Sequence, residues 1–545
     1  MSFNTHAFFK QFLYDPQNPL LFNNGFFVLF FAVFISLYYA FRNNFTIRRY
    51  ITCFFSLYFF YKASGFFVVM VILSAIADFI LSNAIYRQQR PGIRKILLII
   101  SIIFNLGVLC YFKYTNFFLS VSNDLFHTGF NPLNILLPIG ISFYTFENLS
   151  YTIDVYRGDF VPAKKFSDYL LFLSFFPKLV MGPILRASDF VPQINKPYYV
   201  SEEDFAKGFY LIMSGMFKKL IISDYLTLNF VNYIFDDPSK YTGLENLFAV
   251  YAYAAVIYCD FSGYSDVAIG IAKWLGFQIS PNFLSPYQSK NISEFWRRWH
   301  ISLSSWLRDY VYIPLGGNRK SSFATWFFSI FFFGGIYFCG IYLFHFSDFQ
   351  SYVLCTGIIL LFIIRALIKG TWNKLSTNLN LLVTMLLGGL WHGASWNFIL
   401  WGSMHGIALV VHKAWRKISA RNLSKLNNQY WYNAIAVIIT FHFVCFCWIF
   451  FKAHDFATAL AMINQICNDF SFNVWNAFYE NYKSVLWMIF LAGLLHAIPD
   501  SAADYLLHRF PKIPVLVYIL LFFGFLVLYG IFKSAEQVLP IYLQF

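Results

Sequence analysis

The sequence predicts an all-α, polytopic transmembrane protein of roughly eleven spans, with half-inserted and interfacial helices among them. Three observations predict it. Charged residues make up 12% of the 545-residue chain and hydrophobic residues 59%, whereas a soluble globular chain carries about a quarter charged residues. The apolar residues come in runs: Gly25–Ala40, Leu97–Cys110 and Val515–Ile531 hold no charge, and a run of about 20 apolar residues crosses the hydrocarbon core as a helix. Aromatic content is extreme, with 71 Phe and 37 Tyr. Interfacial belts absorb part of that, so most Phe must face lipid or other helices.

The first apolar run begins near Gly25, with no basic segment or small-residue cleavage pattern framing it, and reads as a retained span. Residues before it hold Lys10 and no Arg, and the loop that follows holds Arg42, Arg48 and Arg49. The positive-inside bias therefore runs this span, about 24–41, from outside to inside. Residues 51–83 are too long for one helix and break near Lys62–Gly65, predicting two. The loop Arg87–Lys95 is again basic, 97–119 crosses outward, 133–150 returns, and Arg157, Lys164 and Lys165 mark the cytoplasmic side. The net charge of +14 belongs to this loop bias rather than to nucleic-acid binding.

The middle is irregular. Apolar stretches at 167–184, 207–222 and 245–275 are interrupted by Pro177, Pro183, Asp260 and Asp266, and 278–320 has no span. Irregular backbone at membrane depth is tolerated only inside protein or along a wet cavity, so a site is expected there. Spans resume at 324–345, 352–368, 379–410, 433–452, 483–498 and 513–532. No repeat and no soluble domain is legible, so 1–545 reads as one membrane domain: a motif-bearing core at 130–410, N-terminal spans at 1–129 and C-terminal spans at 411–545. The eight Cys are scattered, without metal-ligand spacing, and predict neither disulfides nor a metal site.

Three segments carry chemistry. Asn291–Tyr310 starts like a helix, with Asn291 as cap and Glu294 placed to reach back. At helical pitch Phe295, Trp299, Leu303, Trp306 and Tyr310 form an aromatic stripe, opposite Arg297, His300, Ser304 and Arg308. Either this is an interfacial helix with a solvated basic face, or the two Arg flanking His300 grip a phosphate-bearing ligand in guanidinium forks. The second segment, Leu386–Trp401, sets His392 near the middle of a hydrophobic span, where an ionisable group is a functional candidate by default. The bland alternative is a neutral imidazole bonded across a helix interface, with Gly388, Gly389 and Gly393 allowing close packing. His405 reads as structural or interfacial. The third, Tyr258–Asp266, sets Asp260 and Asp266 in apolar sequence, as structural support. No Gly-x-Ser-x-Gly elbow, phosphate loop or His-Glu-x-x-His competes.

The motifs Phe295-Trp-Arg-Arg-Trp-His-Ile-Ser-Leu-Ser-Ser-Trp306, Arg308-Asp-Tyr-Val-Tyr-Ile-Pro-Leu-Gly-Gly-Asn318 and Gly389-Leu-Trp-His-Gly-Ala394 resemble the membrane-bound O-acyltransferase (MBOAT) family. Within it they resemble the bacterial branch that O-acetylates alginate and peptidoglycan. Leu137–Phe146, Met181–Pro183 and Asp260–Asp266 match too, so the resemblance spans about 130–410. It implies spans ringed around a buried tunnel and a cytoplasmic acyl thioester, acetyl-CoA or similar, as co-substrate. No bound cofactor or metal is implied. The family histidine falls on His392 and its second polar tunnel residue on His300. Arg297, Arg298, Arg308, Trp299, Trp391 and Asn318 become donor-side candidates, with Asp260, Asp266 and Asn397 in support. The implied partners are membrane lipid, a separate extracytoplasmic transferase (SGNH-like) and a polysaccharide acceptor, from a protein of the bacterial inner membrane with its N-terminus outside. D-alanyl transfer to teichoic acid, whose membrane component shares these motifs, is the alternative enzyme. A transporter or flippase is the alternative of another class.

Overall fold

The computed structural model describes residues 10–22, 24–319, 322, 325, 327, 372–422, 429–499, 502, 505, 508–532 and 538–541. Among these every regular element is a helix. The spans expected at 324–345 and 352–368 lie outside the described residues. Five described helical stretches are long and apolar enough to cross a membrane: Phe45–Arg87, Pro91–Phe126, Gly243–Trp274, Tyr430–Lys452 and Val515–Phe532. Their chain contacts divide the molecule into two compact units, one built mainly from residues 1–224, 258–282 and 501–544, the other from 225–257 and 283–500.

The first unit begins with α1 (Gly25–Ala40) and α2 (Phe45–Ser64), each capped by an asparagine. Asn24 accepts from the Phe26 N–H at 2.9 Å and Asn44 from Ile47 at 3.0 Å, satisfying donors that the helix leaves orphaned. α2 stops at Gly65 (φ +62°), where the predicted break falls, and a 3₁₀ turn leads into α3 (Val68–Arg87). Residues 45–87 would extend to about 64 Å as one helix, twice the hydrocarbon thickness, so the break is required. α4 (Pro91–Leu109) uses Pro91 in its first turn and continues through a π turn into α5 (Thr115–Phe126).

α6 runs over Ile141–Arg157, not 133–150 as expected. The left-handed Gly140 (φ +71°) starts it, and a Cβ there would lie 2.4 Å from the Leu179 carbonyl oxygen. α6 buries Thr145, Glu147, Asn148, Ser150 and Thr152. Ser150 donates to the Glu147 carbonyl of α6 itself at 2.9 Å, whereas Glu147, Asn148 and Thr152 meet partners from other segments. Asp78 of α3 accepts from Ser101 at 2.6 Å and Asn105 at 2.8 Å, both on α4. The Asn148 amide donates to Asn105 at 3.1 Å and accepts from the Tyr169 hydroxyl at 2.6 Å. Tyr169 sits on α7 (Phe166–Ser174), so one hydrogen-bonded chain ties four helices together. Glu147 pairs with Lys178, both buried, and also accepts from the Leu185 N–H at 3.0 Å. Arg49 pairs with Asp168 at 2.9 Å, both buried.

After α8 (Ala187–Ile194) and α9 (Glu202–Met216), a π segment, Phe217–Ser223, carries two adjacent lysines. The region expected to be interrupted at 245–275 is instead one uninterrupted 32-residue helix, α10 (Gly243–Trp274). Its acids cause no break because each is matched: Asp266 by Lys218 at 2.7 Å, Asp260 by Lys219 at 2.6 Å, with Lys219 also on Asp224 at 2.7 Å. Asp260 further accepts from the Ile541 N–H at 2.8 Å. α9 lies close enough to α10 that a Cβ on Gly215 would come within 2.3 Å of the Gly263 carbonyl, a close backbone approach that small residues permit.

In the second unit the expected single helix across 291–310 is two. α11 (Ile292–Arg298) and α12 (Ile301–Leu307) are separated at Trp299–His300 and followed by a π turn, Arg308–Tyr312. The expected span at 379–410 is likewise two helices, α13 (Trp372–His392) and α14 (Trp396–Asn422), packed along each other. α15 (Tyr430–Lys452), α16 (Phe456–Asn468) and α17 (Trp475–Ala497, kinked at Tyr482) follow. α18 (Val515–Phe532), assigned to the first unit, presents apolar side chains such as Val515, Leu516, Val527 and Ile531 outward, as a lipid-facing helix does.

Breaking a buried ion pair on one side costs about 3–5 kcal/mol because the other charge is left uncompensated. Arg49→Met is therefore expected to lower the unfolding midpoint in detergent markedly, and Arg49→Met with Asp168→Leu to recover most of the loss. Equal midpoints for the single variant and the wild type would show that the pair carries no such penalty.

Candidate active site: a buried histidine centre

His392 is the last residue of α13, at a helix end rather than within a span. Gly393–Ser395 turns the chain into α14, and the pair is packed by glycines. A Cβ on Gly389 would fall 2.2 Å from the Phe398 carbonyl oxygen, on Gly402 2.4 Å from the Met385 carbonyl oxygen, and on Gly393 2.0 Å from the Phe398 ring. The glycines beside His392 are thus spent on helix packing. Lys413 of α14 closes the far end of the hairpin on Thr377 at 2.9 Å.

His392 is 3% exposed and sits among rings: Trp391 at 4.9 Å between centroids, Trp401 at 4.9 Å and Phe451 at 5.2 Å. His300 is fully buried and reaches the same Trp391 at 5.9 Å. The two histidines, 92 positions apart in sequence, therefore converge on one indole. His300 takes a left-handed backbone (φ +43°, ψ +57°), uncommon for a residue with a side chain and typical of functional sites. That conformation ends α11 and re-aims the chain, so the predicted aromatic stripe is divided: Phe295 stacks on Trp299 at 5.6 Å before the break, and Trp306 meets Tyr310 at 5.1 Å after it. Trp299 also packs on Phe283 and Trp448, with no exposure, and is core rather than donor surface. The Trp299 carbonyl freed by the break accepts from Ser304 at 3.1 Å. Burial pushes His300 down to about 3, so it is neutral at physiological pH.

Asn291 caps α11 through the Glu294 N–H at 2.9 Å, and Glu294 reaches back to the Lys290 N–H at 3.1 Å. The arginines divide. Arg298 pairs with Glu294 at 3.0 Å, and Arg308 forms a two-point contact with Asp309 at 2.7 and 3.1 Å. Arg297 is exposed, has no acidic partner among the described residues, and shares its field with Arg416 at His412. Asn318 accepts from Tyr312 at 2.8 Å in the turn after the π segment, and Asn397 holds the Ala453 carbonyl at 3.0 Å. Asp260 and Asp266 belong to the lysine pairs of the first unit.

His405 is fully buried, not interfacial. Its Nδ1 lies 3.3 Å from Trp296 Nε1, and its ring lies 4.7 Å from that of Trp401. The sequence did not single out Trp401, and it offered His405 only as structural or interfacial. The available signal was His405 on the helix that follows His392, three turns into an otherwise apolar stretch.

These features define a multi-pass helical membrane protein with a buried, ring-walled histidine centre. The model of the membrane-bound O-acyltransferase family matches residues 163–356. A probable alginate O-acetylase of Pseudomonas aeruginosa is 39% identical over 69% of this chain and 61% of its own length. The corresponding protein of Azotobacter vinelandii is 34% identical over 87% of this chain and 82% of its own. A peptidoglycan O-acetyltransferase of Helicobacter pylori is 30% identical over 73% and 69%. The chain belongs to the membrane-bound O-acyltransferase family, a family of acyltransferases. It spans under two thirds of the Pseudomonas protein's length.

The lowered His300 makes a signed pH prediction. The folded state keeps this imidazole neutral down to about pH 3, while the unfolded chain takes up a proton below about 6.5. Its contribution is full above about pH 6.5 and is lost as pH falls toward 3. His300→Gln should flatten the fall of the unfolding midpoint between pH 6.5 and 4; an unchanged slope would mean that His300 titrates alike in both states.

Proposed function

We propose that the protein is a membrane O-acetyltransferase. It takes acetyl from a cytoplasmic thioester, acetyl-CoA, and passes it across the membrane for O-acetylation of an extracytoplasmic polysaccharide. The observation that carries the reading is the convergence of His392 and His300 on Trp391 inside a water-poor ring cage. His392 serves as general base on the acceptor hydroxyl, and neutral His300 positions donor or acceptor. A thioester is already activated, so a base and a positioned acceptor are sufficient chemistry. Arg297 is the donor-phosphate contact among the three arginines, because Arg298 and Arg308 are committed to Glu294 and Asp309.

The relatives named for alginate and peptidoglycan acetylation support a cell-surface glycan as acceptor, and the reading places the protein in the bacterial inner membrane. A separate extracytoplasmic transferase completes the last step in this reading, with the N-terminus outside. In the alternative, D-alanyl transfer, an acylated carrier protein replaces acetyl-CoA, and the same histidines serve.

His392→Ala is expected to insert normally and to abolish acetylation of the surface polysaccharide; normal acetyl content would overturn the reading. Arg297→Ala should raise KM for acetyl-CoA about tenfold or more, since a lost charge-assisted contact is worth about 1.5–3 kcal/mol. Turnover of an acyl carrier protein but not of acetyl-CoA by purified protein in proteoliposomes would select the alternative.

A further inference from the structure

Trp401 and His405 lie one turn apart on α14, both fully buried. The indole N–H of Trp401 and Nε2 of His405 meet no hydrogen-bonding partner among the described residues. The tautomer of His405 follows from its other nitrogen. Trp296 Nε1 can only donate, so at 3.3 Å His405 Nδ1 is the acceptor, and the proton of the neutral ring resides on Nε2. Two N–H donors are therefore unsatisfied, on rings 4.7 Å apart, and the Trp401 ring is 4.9 Å from His392. Buried donors are nearly always paired, and a pair left open at a reaction centre matches what a developing oxyanion requires. The rings themselves are held: Trp401 stacks on Trp448 at 5.8 Å and meets Phe451 at 5.3 Å, and His405 lies against Trp296 at 5.2 Å.

We propose that Trp401 Nε1–H and His405 Nε2–H bind the carbonyl oxygen of the acyl thioester and stabilise the oxyanion formed on it. This rests on the acyl-transfer reading above. As the acceptor oxygen attacks the carbonyl carbon, its proton moves to His392 and the C=O π pair moves onto the oxygen held by the two N–H groups. When the C–S bond breaks, the carbonyl re-forms, the sulfur leaves with its electron pair, and the proton on His392 passes to it. The products are an ester and a free thiol. The same two donors would select a carbonyl over any apolar group of the acyl chain, so they also set where a short acyl group stops beside His392.

The test uses cell membranes that hold the full-length protein together with its extracytoplasmic transferase and polysaccharide, supplied with acetyl-CoA, following release of the CoA thiol. Trp401→Phe keeps the ring and removes the N–H. His405→Leu removes the donor, and His405→Gln restores one. The first two should lower kcat about 100-fold or more, the size of a lost oxyanion donor, with KM for acetyl-CoA changed by no more than about threefold, and His405→Gln should recover most of the loss. Wild-type kcat in Trp401→Phe and His405→Leu, with His392→Ala still inactive, overturns this assignment and leaves acyl transfer standing. A wild type that His392→Ala matches overturns both. Should a variant fail to fold, carbonyl-labelled acetyl-CoA bound to His392→Ala gives a second reading by infrared spectroscopy. Its C=O stretch should fall below the solution frequency, and an unshifted band overturns the assignment.

Discussion

A buried polar group at membrane depth is costly unless another group meets it. That requirement organises the first unit. Asp78, Asn105, Asn148 and Tyr169 satisfy one another across four helices. Glu147 and Lys178, Arg49 and Asp168, and the lysines of Phe217–Ser223 with Asp224, Asp260 and Asp266 do the same with charge. Apolar surface cannot fix which helix lies beside which when lipid is as apolar as leucine. The polar pairs and the glycine contacts can, because each is met by one arrangement.

The second unit applies the same constraint to a different end. Its core is walled by indole and phenyl rings, and imidazoles stand among them. Helix ends deliver the chemistry: His392 closes α13, and His300 sits at the break between α11 and α12. Such positions combine a side chain inside the protein with a backbone free of helical geometry, which lets two segments far apart in sequence meet at Trp391. The left-handed backbone of His300 carries a cost of about 1–3 kcal/mol, which the surrounding packing of Trp299 and Phe283 offsets.

Much of this was legible in the sequence, and the misreadings have one source. Apolar runs, asparagine caps and the break at Gly65 follow from local preferences, and local preferences survived folding. The continuous stripe from Phe295 to Tyr310 did not, because a left-handed residue at position 300 leaves no trace in hydrophobic periodicity. The interruption expected at Asp260 and Asp266 failed for the complementary reason: Lys218 and Lys219, some forty residues earlier, neutralise those acids within an intact helix. Arg297, Arg298 and Arg308 looked equivalent as letters, and only their neighbours Glu294 and Asp309 separated them.

The sequence by itself determined the class: a helical, multi-pass membrane protein with a chemistry-bearing middle and with His392 and His300 as its candidates. Those properties depend on composition, on runs of about twenty residues and on motifs within a few turns, all of which are local. Tertiary structure decided which groups share a site. It put His392 at a helix end, brought His300 to the same indole, spent the glycines on packing, and turned His405 from a peripheral residue into a buried donor beside Trp401. Those outcomes depend on contacts between segments tens of residues apart, and the low-dielectric interior makes each contact specific.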